Sequence, residues 1–159
     1  MLFNSRGIGK AIALKLSKLG SSIAVNYFGG ESEANEVEAN EVVDTIIRQG
    51  GEAISIEADV RDGEAVKAMV REVTDRWGRI DILVNNAGIT RDNLLLRMSD
   101  KAWDDVIDTN LRGAYLCTKF ALRSMVRQEW GRVVNIASIA GIMGNAGQTN
   151  YSASKGGLI

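Results

Sequence analysis

The chain has 159 residues, 45% of them hydrophobic and 25% charged, with a formal net charge of −1. This make-up is ordinary for one soluble globular domain, which at this length buries roughly 70% of its unfolded surface, and it gives no reason to expect nucleic acid or an anionic membrane as partner. The absence of histidine and the presence of a single cysteine, Cys117, exclude a serine–histidine triad and an internal disulfide, remove the usual ligands of a zinc site, and suit a reducing compartment. No apolar run reaches membrane-spanning length, and Met1 to Lys10 lacks the apolar core of a signal peptide. Any catalysis must then use tyrosine, lysine, serine, carboxylates or a bound cofactor.

Strands and helices alternate along the chain. Gly7 to Leu19 reads as a helix, with Ile8, Ile12, Leu16 and Leu19 on one stripe and Gly20 as its stop. Ser22 to Asn26 is a short strand, and a polar turn from Phe28 to Ser32 leads into a second helix ending near Gly50–Gly51. Within that helix Glu33 to Val37 is repeated at once as Glu38 to Val42. Five residues turn a helix by about 500°, so the copies lie about 140° out of phase. Ala39, Val42, Val43, Ile46 and Ile47 are expected on the inner face and Val37 off it, so the first copy reads as a tandem duplication that lengthens the exposed helix start. Ala53 to Glu57 is the next strand and Gly63 to Trp77 the next helix. Ile80 to Val84 is nearly continuously apolar, as strands buried on both faces of a parallel sheet are. One long helix is expected from about Lys101 to Arg127, its stripe made of Trp103, Val106, Ile107, Leu111, Ala114, Ala121, Leu122 and Met125. Val133 to Ile136 is a strand, Ala137 to Gln148 a loop of small residues, and a helix resumes at Asn150. This alternation predicts an α/β fold, a doubly wound parallel sheet, as a single dinucleotide-binding domain over residues 1–159.

The most chemically loaded stretch is the last one. Tyr151 and Lys155 are four positions apart, one turn along the same helix face. An ammonium beside a phenol favours the phenolate, and bringing a phenol from about 10 to near neutrality needs about three units, or roughly 4 kcal/mol. A tyrosine so placed can serve as a general acid. Ser138, past the carboxyl end of its strand, lies where ligands of open α/β sheets bind and can hold a carbonyl oxygen. Near the N-terminus, Ser5, Arg6, Gly7, Ile8 and Gly9 form a glycine-rich start to a helix, a place for a pyrophosphate. Arg6 has a guanidinium for a 2′-phosphate. Asn26 and Tyr27 follow a strand without supplying the acid that binds a free ribose 2′-hydroxyl, which favours NADP(H) over NAD(H). Asp59 and Val60 either take an adenine edge or cap the next helix. Asn85, Asn86, Ala87 and Gly88 end another strand on the ligand side, or form no more than a turn. Asn110 falls on the apolar stripe of the long helix, where its amide either locks packing or holds a water for a site.

Taken together and in order, Ser-Arg-Gly-Ile-Gly, Ala58-Asp59-Val60, Asn85-Asn86-Ala87-Gly88, the mid-helix Asn110, Ser138 and Tyr151-x-x-x-Lys155 resemble the short-chain dehydrogenases/reductases. The runs Asn85 to Met98 and Met143 to Tyr151 are similar to the 3-oxoacyl-[acyl-carrier-protein] reductases in particular. The resemblance implies reduction of 3-oxoacyl thioesters on acyl carrier protein by NADPH in fatty-acid synthesis. Tyr151 would be the proton donor and Lys155 would bind the nicotinamide ribose and tune the tyrosine. Ser138 would orient the carbonyl, and Asn110 would hold a relay water. Asn86, Ala87 and Gly88 would line the adenosine ribose. It further implies a cytoplasmic homotetramer, with Arg123, Arg127 and Arg132 as carrier-docking candidates interrupted by Glu129. Another short-chain reductase, such as one acting on acetoacetyl-CoA, or an inactive nucleotide-binding chain, are the alternatives. Against the family pattern, Leu2 and Phe3 replace its Thr-Gly, only Met1 precedes them where the middle strand is expected, and the chain ends four residues past Lys155. The expectation is therefore an incomplete sheet, shortened at both ends, whose neighbouring strands lack the one between them.

Overall fold

A computed structural model describes residues 7–30 and 34–159; Ser5 and Arg6 lie outside the described residues. The elements run α1 (Gly7–Ser17), β1 (Ile23–Tyr27), α2 (Ala34–Arg48), β2 (Ala53–Glu57), α3 (Gly63–Trp77), β3 (Ile82–Asn85), α4 (Asp100–Ile107), α5 (Gly113–Arg127), β4 (Arg132–Asn135), α6 (Ala140–Met143) and α7 (Thr149–Gly156). Two short connections add a 3₁₀ turn at Leu95–Arg97 and a π-turn at Asp108–Arg112.

Local chemistry sets the boundaries. Asp62 caps α3, its carboxylate accepting from the Glu64 N–H at 2.8 Å. Gly78 ends the same helix with φ +75° and donates its N–H to Thr74 O, a conformation that glycine reaches without a Cβ clash. The capping alternative for Asp59 is thereby corrected: the cap lies three residues on. α4 opens on Ser99, whose Oγ accepts from the Ala102 N–H at 3.2 Å.

Among the described residues the strands form two parallel pairs. β1 pairs with β2 from Ile23 opposite Ala53 to Tyr27 opposite Glu57, and β3 pairs with β4 from Ile82 opposite Arg132 to Asn85 opposite Asn135. This is the divided sheet expected from the sequence. Both faces of β1 and β3 are covered, whereas β4 is exposed along its length. Ile23, Val25 and Val84 pack with Ala13, Ala39, Val42 and Ile46 of α1 and α2. Ala24 and Leu83 point the other way, into Val66, Met69 and Val73 of α3 and Leu116, Cys117, Ala121 and Met125 of α5. Burial pushes the Cys117 thiol up to about 12, so it packs as a small hydrophobe.

Three expectations need correction. The single long helix runs unbroken from Asp100 to Arg127 but is not uniform, because the chain closes one wider turn between α4 and α5: the Gly113 N–H donates to Asp108 O, five residues back. A hydrophobic stripe at 3.6 spacing does not reveal one extra residue in a turn. The small-residue loop after β4 contains the short helix α6, which its glycines permit. Gly141 lies so close to α7 that a Cβ on it would stand 2.6 Å from the Gly156 nitrogen. Lastly, Ile8, Leu19 and Ile47 are exposed rather than inward, whereas Val37 is exposed as expected. No helix among the described residues is long and apolar enough to cross a membrane.

Candidate active site and nucleotide cavity

Helix α7 carries the site, and polar side chains fix its start. Asn150 is fully buried; its Nδ2 donates to Arg91 O at 3.1 Å and Ala102 O at 3.0 Å, and its Oδ1 accepts the Tyr151 N–H at 2.8 Å. That side chain satisfies one of the N–H groups that a helix start leaves free. Ser154, also fully buried, donates to the Tyr151 carbonyl at 2.8 Å and accepts from Asn110 Nδ2 at 3.0 Å. The main chain of Tyr151 is thus held on both sides while its ring stays half-exposed.

Lys155 is buried, with its Nζ donating to Ile136 O at 2.6 Å and standing 5.8 Å from the Tyr151 ring centre. Burial lowers its pKa, because an ammonium loses hydration there. Asn110 lies in the π-turn and is 1% exposed. Its Oδ1 accepts the Ile89 N–H at 2.8 Å, and its Nδ2 donates to Ile89 O at 3.0 Å as well as to Ser154. Of the two readings left open for this residue, the packing role is realised by its amide, which ties the loop after β3 to α7. Gly88 comes so close that a Cβ on it would meet Asn110 Oδ1 at 3.3 Å and Lys155 Nζ at 3.7 Å. Ser138 is half-buried and its Oγ accepts the Ala140 N–H at 3.2 Å, opening α6. Since α6 packs backbone to backbone on the end of α7, Ser138 is carried on the element that flanks Lys155.

A cavity of about 780 Å³ runs along the carboxyl ends of the strands. Its wall gathers Asn26, Tyr27 and Phe28 after β1, Asp59, Val60 and Arg61 after β2, and Ala87, Gly88 and Ile89 after β3. The volume lies in the ordinary range of small-molecule sites, and the position is where open parallel sheets bind nucleotides. The bare Gly88 backbone beside Lys155 leaves room that a side chain would fill. These residues fit a nicotinamide dinucleotide. Asn86 follows β3 directly and is half-buried off this wall, and Gly7, Ile8 and Gly9 begin α1, also off it.

The electrostatics at the β1 end are mixed. Burial together with Glu36 and Glu57 holds the Tyr27 phenol above its ordinary value. The Asn26 amide is engaged by Ala58 O at 2.9 Å and Ile56 O at 3.3 Å. Asp59 is half-buried, which raises a carboxyl pKa, yet the Arg61 hydrogen bonds at 3.0 and 2.7 Å outweigh burial and lower it.

The short chain dehydrogenase family matches residues 4–159. The chain belongs to that family. It is 49% identical over 155 residues to 3-oxoacyl-[acyl-carrier-protein] reductase FabG of Staphylococcus aureus, covering 98% of this chain and 61% of that protein. The same identity holds for the Staphylococcus epidermidis FabG, of which 62% is covered. A Synechocystis 3-oxoacyl-[acyl-carrier-protein] reductase is 50% identical over 155 residues and 61% covered. The chain spans about three-fifths of the length of these curated relatives. Within this short-chain dehydrogenase, sequence reasoning missed Asn150, Ser154 and Arg61. The first two carried a signal: small polar residues at buried helix positions one before and three after Tyr151. Arg61 carried none, since one arginine after Asp59-Val60 reads as surface.

Proposed function

We propose that this chain carries the cofactor and catalytic residues of an NADPH-dependent reductase acting on 3-oxoacyl thioesters of acyl carrier protein. The observation that carries the reading is the meeting of Asn110 and Lys155 at Gly88 on the cavity's edge, one helical turn from a half-exposed Tyr151. NADPH, when bound, supplies hydride to the β-carbon. Tyr151 then gives its proton to the keto oxygen, and Lys155 steadies the charge left on the phenol while binding the nicotinamide ribose hydroxyls. Ser138 orients the carbonyl. Asn110 uses its amide to hold the Ile89 loop and α7 in register, with a relay water served by what acceptor capacity remains. Ser5, Arg6, Gly7, Ile8 and Gly9 receive the pyrophosphate, while Asn26, Tyr27, Asp59, Val60, Asn86, Ala87 and Gly88 receive the adenosine half. A cytoplasmic setting and a homotetramer joined partly through α5 and α7 follow from the same reading. The exposed Tyr115 and Leu122, beside Leu158, support that face.

The test is NADPH oxidation, followed by absorbance, with acetoacetyl groups on acyl carrier protein and on CoA. Faster turnover of the carrier-bound thioester supports the assignment, and preference for CoA points to another short-chain reductase. A nucleotide-binding chain without turnover is the other reading. NADPH binding without reduction of either thioester would establish that reading instead.

A further inference from the structure

We infer that Arg61, laid against Phe28, is a second residue, in addition to Arg6, that distinguishes a 2′-phosphorylated adenosine ribose from an unphosphorylated one; this rests on the dinucleotide reading above and adds a specificity residue to it. Phe28 directly follows β1, at the strand end where the adenosine ribose is expected. The Arg61 guanidinium is 5.4 Å from the Phe28 ring centre, so the turn after β2 carries its charge across to the β1 end. Both side chains line the 780 Å³ cavity. Among the described residues at that strand end no other group is suited to a phosphate: the Asn26 amide is engaged with carbonyls, and Glu36 and Glu57 add negative field around Tyr27.

Arg61 retains unused capacity. Nε and Nη2 bind Asp59, whereas Nη1 reaches Asp105 only at 3.9 Å, beyond hydrogen-bond distance. Its carbonyl accepts from Arg112 at 3.1 Å, which fixes the backbone while the side chain remains about a third exposed. The guanidinium has five donors in a planar fork and sits among Asp59, Asp105 and Asp108; a phosphate monoester, with nearly two charges, competes with Asp105 for the edge that Asp59 leaves open. The sequence already placed Arg6 in this role; Arg61 adds a second cation from a different turn, held in place by an aromatic platform.

The experiment measures dissociation constants of NADPH and NADH by ligand fluorescence for the wild-type chain, Arg61→Ala and Arg61→Lys. A lost charge-assisted contact weakens NADPH about 10- to 100-fold in Arg61→Ala, with NADH changed less than about twofold. Arg61→Lys keeps the charge but not the fork and falls between. It also carries the test if Arg61→Ala lacks a cooperative melting transition. A wild-type preference for NADPH that both variants retain overturns the Arg61 assignment and leaves the dinucleotide reading standing. A wild-type chain that binds both alike overturns the Arg61 assignment alone, and one that binds neither overturns both.

Discussion

Helix α7 keeps Asn150, Ser154 and Lys155 buried at 0%, 0% and 4% exposure, while the neighbouring β4–α6 stretch leaves Val134, Ile139, Ile142 and Met143 exposed at 43%, 66%, 71% and 79%. Polarity and burial are inverted across a few ångströms. The buried polar groups persist because each has partners: Asn150 makes three hydrogen bonds, Ser154 two, and the Lys155 ammonium one short bond to Ile136 O. The apolar groups are exposed because no element among the described residues packs over that side. Local stability therefore depends on the hydrogen bonds of Asn150 and Ser154 more than on the apolar side chains beside them. Local rules are broken most often where a site must be held.

The largest expected effect lies on α7. Tyr151→Phe removes the proposed acid without touching the partners of its main chain. Thioester reduction is expected to fall about 10²- to 10⁴-fold, with the NADPH dissociation constant within about twofold of wild type. Retained turnover would show that Tyr151 is a packing residue like its neighbours. Asn150→Ala strips partners from two carbonyls and one N–H. At about 1–3 kcal/mol for leaving such groups unpaired, the melting temperature is expected to fall by roughly 5–10 °C. A fall under about 2 °C would mean that water replaces the amide.

Lys155→Met separates the two properties of α7. Burial lowers the folded-state pKa of Lys155 below its unfolded value of about 10.4. Between those two values the unfolded chain binds more protons, so wild-type stability rises with pH across that window. The variant lacks the group. It is expected to be inactive, to melt higher than wild type at neutral pH, and to lose that advantage as pH approaches about 10. Parallel stability profiles for the two proteins would show that the ammonium is not strained by burial. The smallest effect is expected on the other side of the comparison: Ile142→Ser should change stability by less than about 0.5 kcal/mol in denaturant unfolding. A cost of 2–5 kcal/mol, usual for a buried site, would mean that this apolar wall is covered in solution.

Much of the fold was legible because caps and periods are local. Ala53–Glu57 and Gly63–Trp77 match the sequence reading residue for residue, the helix lying between an aspartate cap and a left-handed glycine. The motif residues Ala87, Gly88, Asn110 and Lys155 do converge, as the resemblance to the short-chain reductases implied. What escaped was set by contacts across the chain. The amide of Asn110 was undecidable until Ile89 and Ser154 were seen to occupy it, since they lie 21 and 44 residues away. The ion pair of Arg61 with Asp59 and its stacking on Phe28 join two turns that share no pattern.

The π-turn at Asp108–Arg112 has a consequence for what this chain tolerates. An α-helix advances about 100° per residue, so a turn holding one residue more rotates everything beyond it by that angle. Substitutions there that keep the residue count leave Leu116, Ala121 and Met125 aimed at α3. Deleting a single residue there closes an ordinary helical turn and leaves that row of side chains aimed at α3, because the lost residue and the lost bulge cancel, while Asn110, inside the turn, loses its place against Ile89. Counted in residues the loss is one; counted in rotation it is close to nothing.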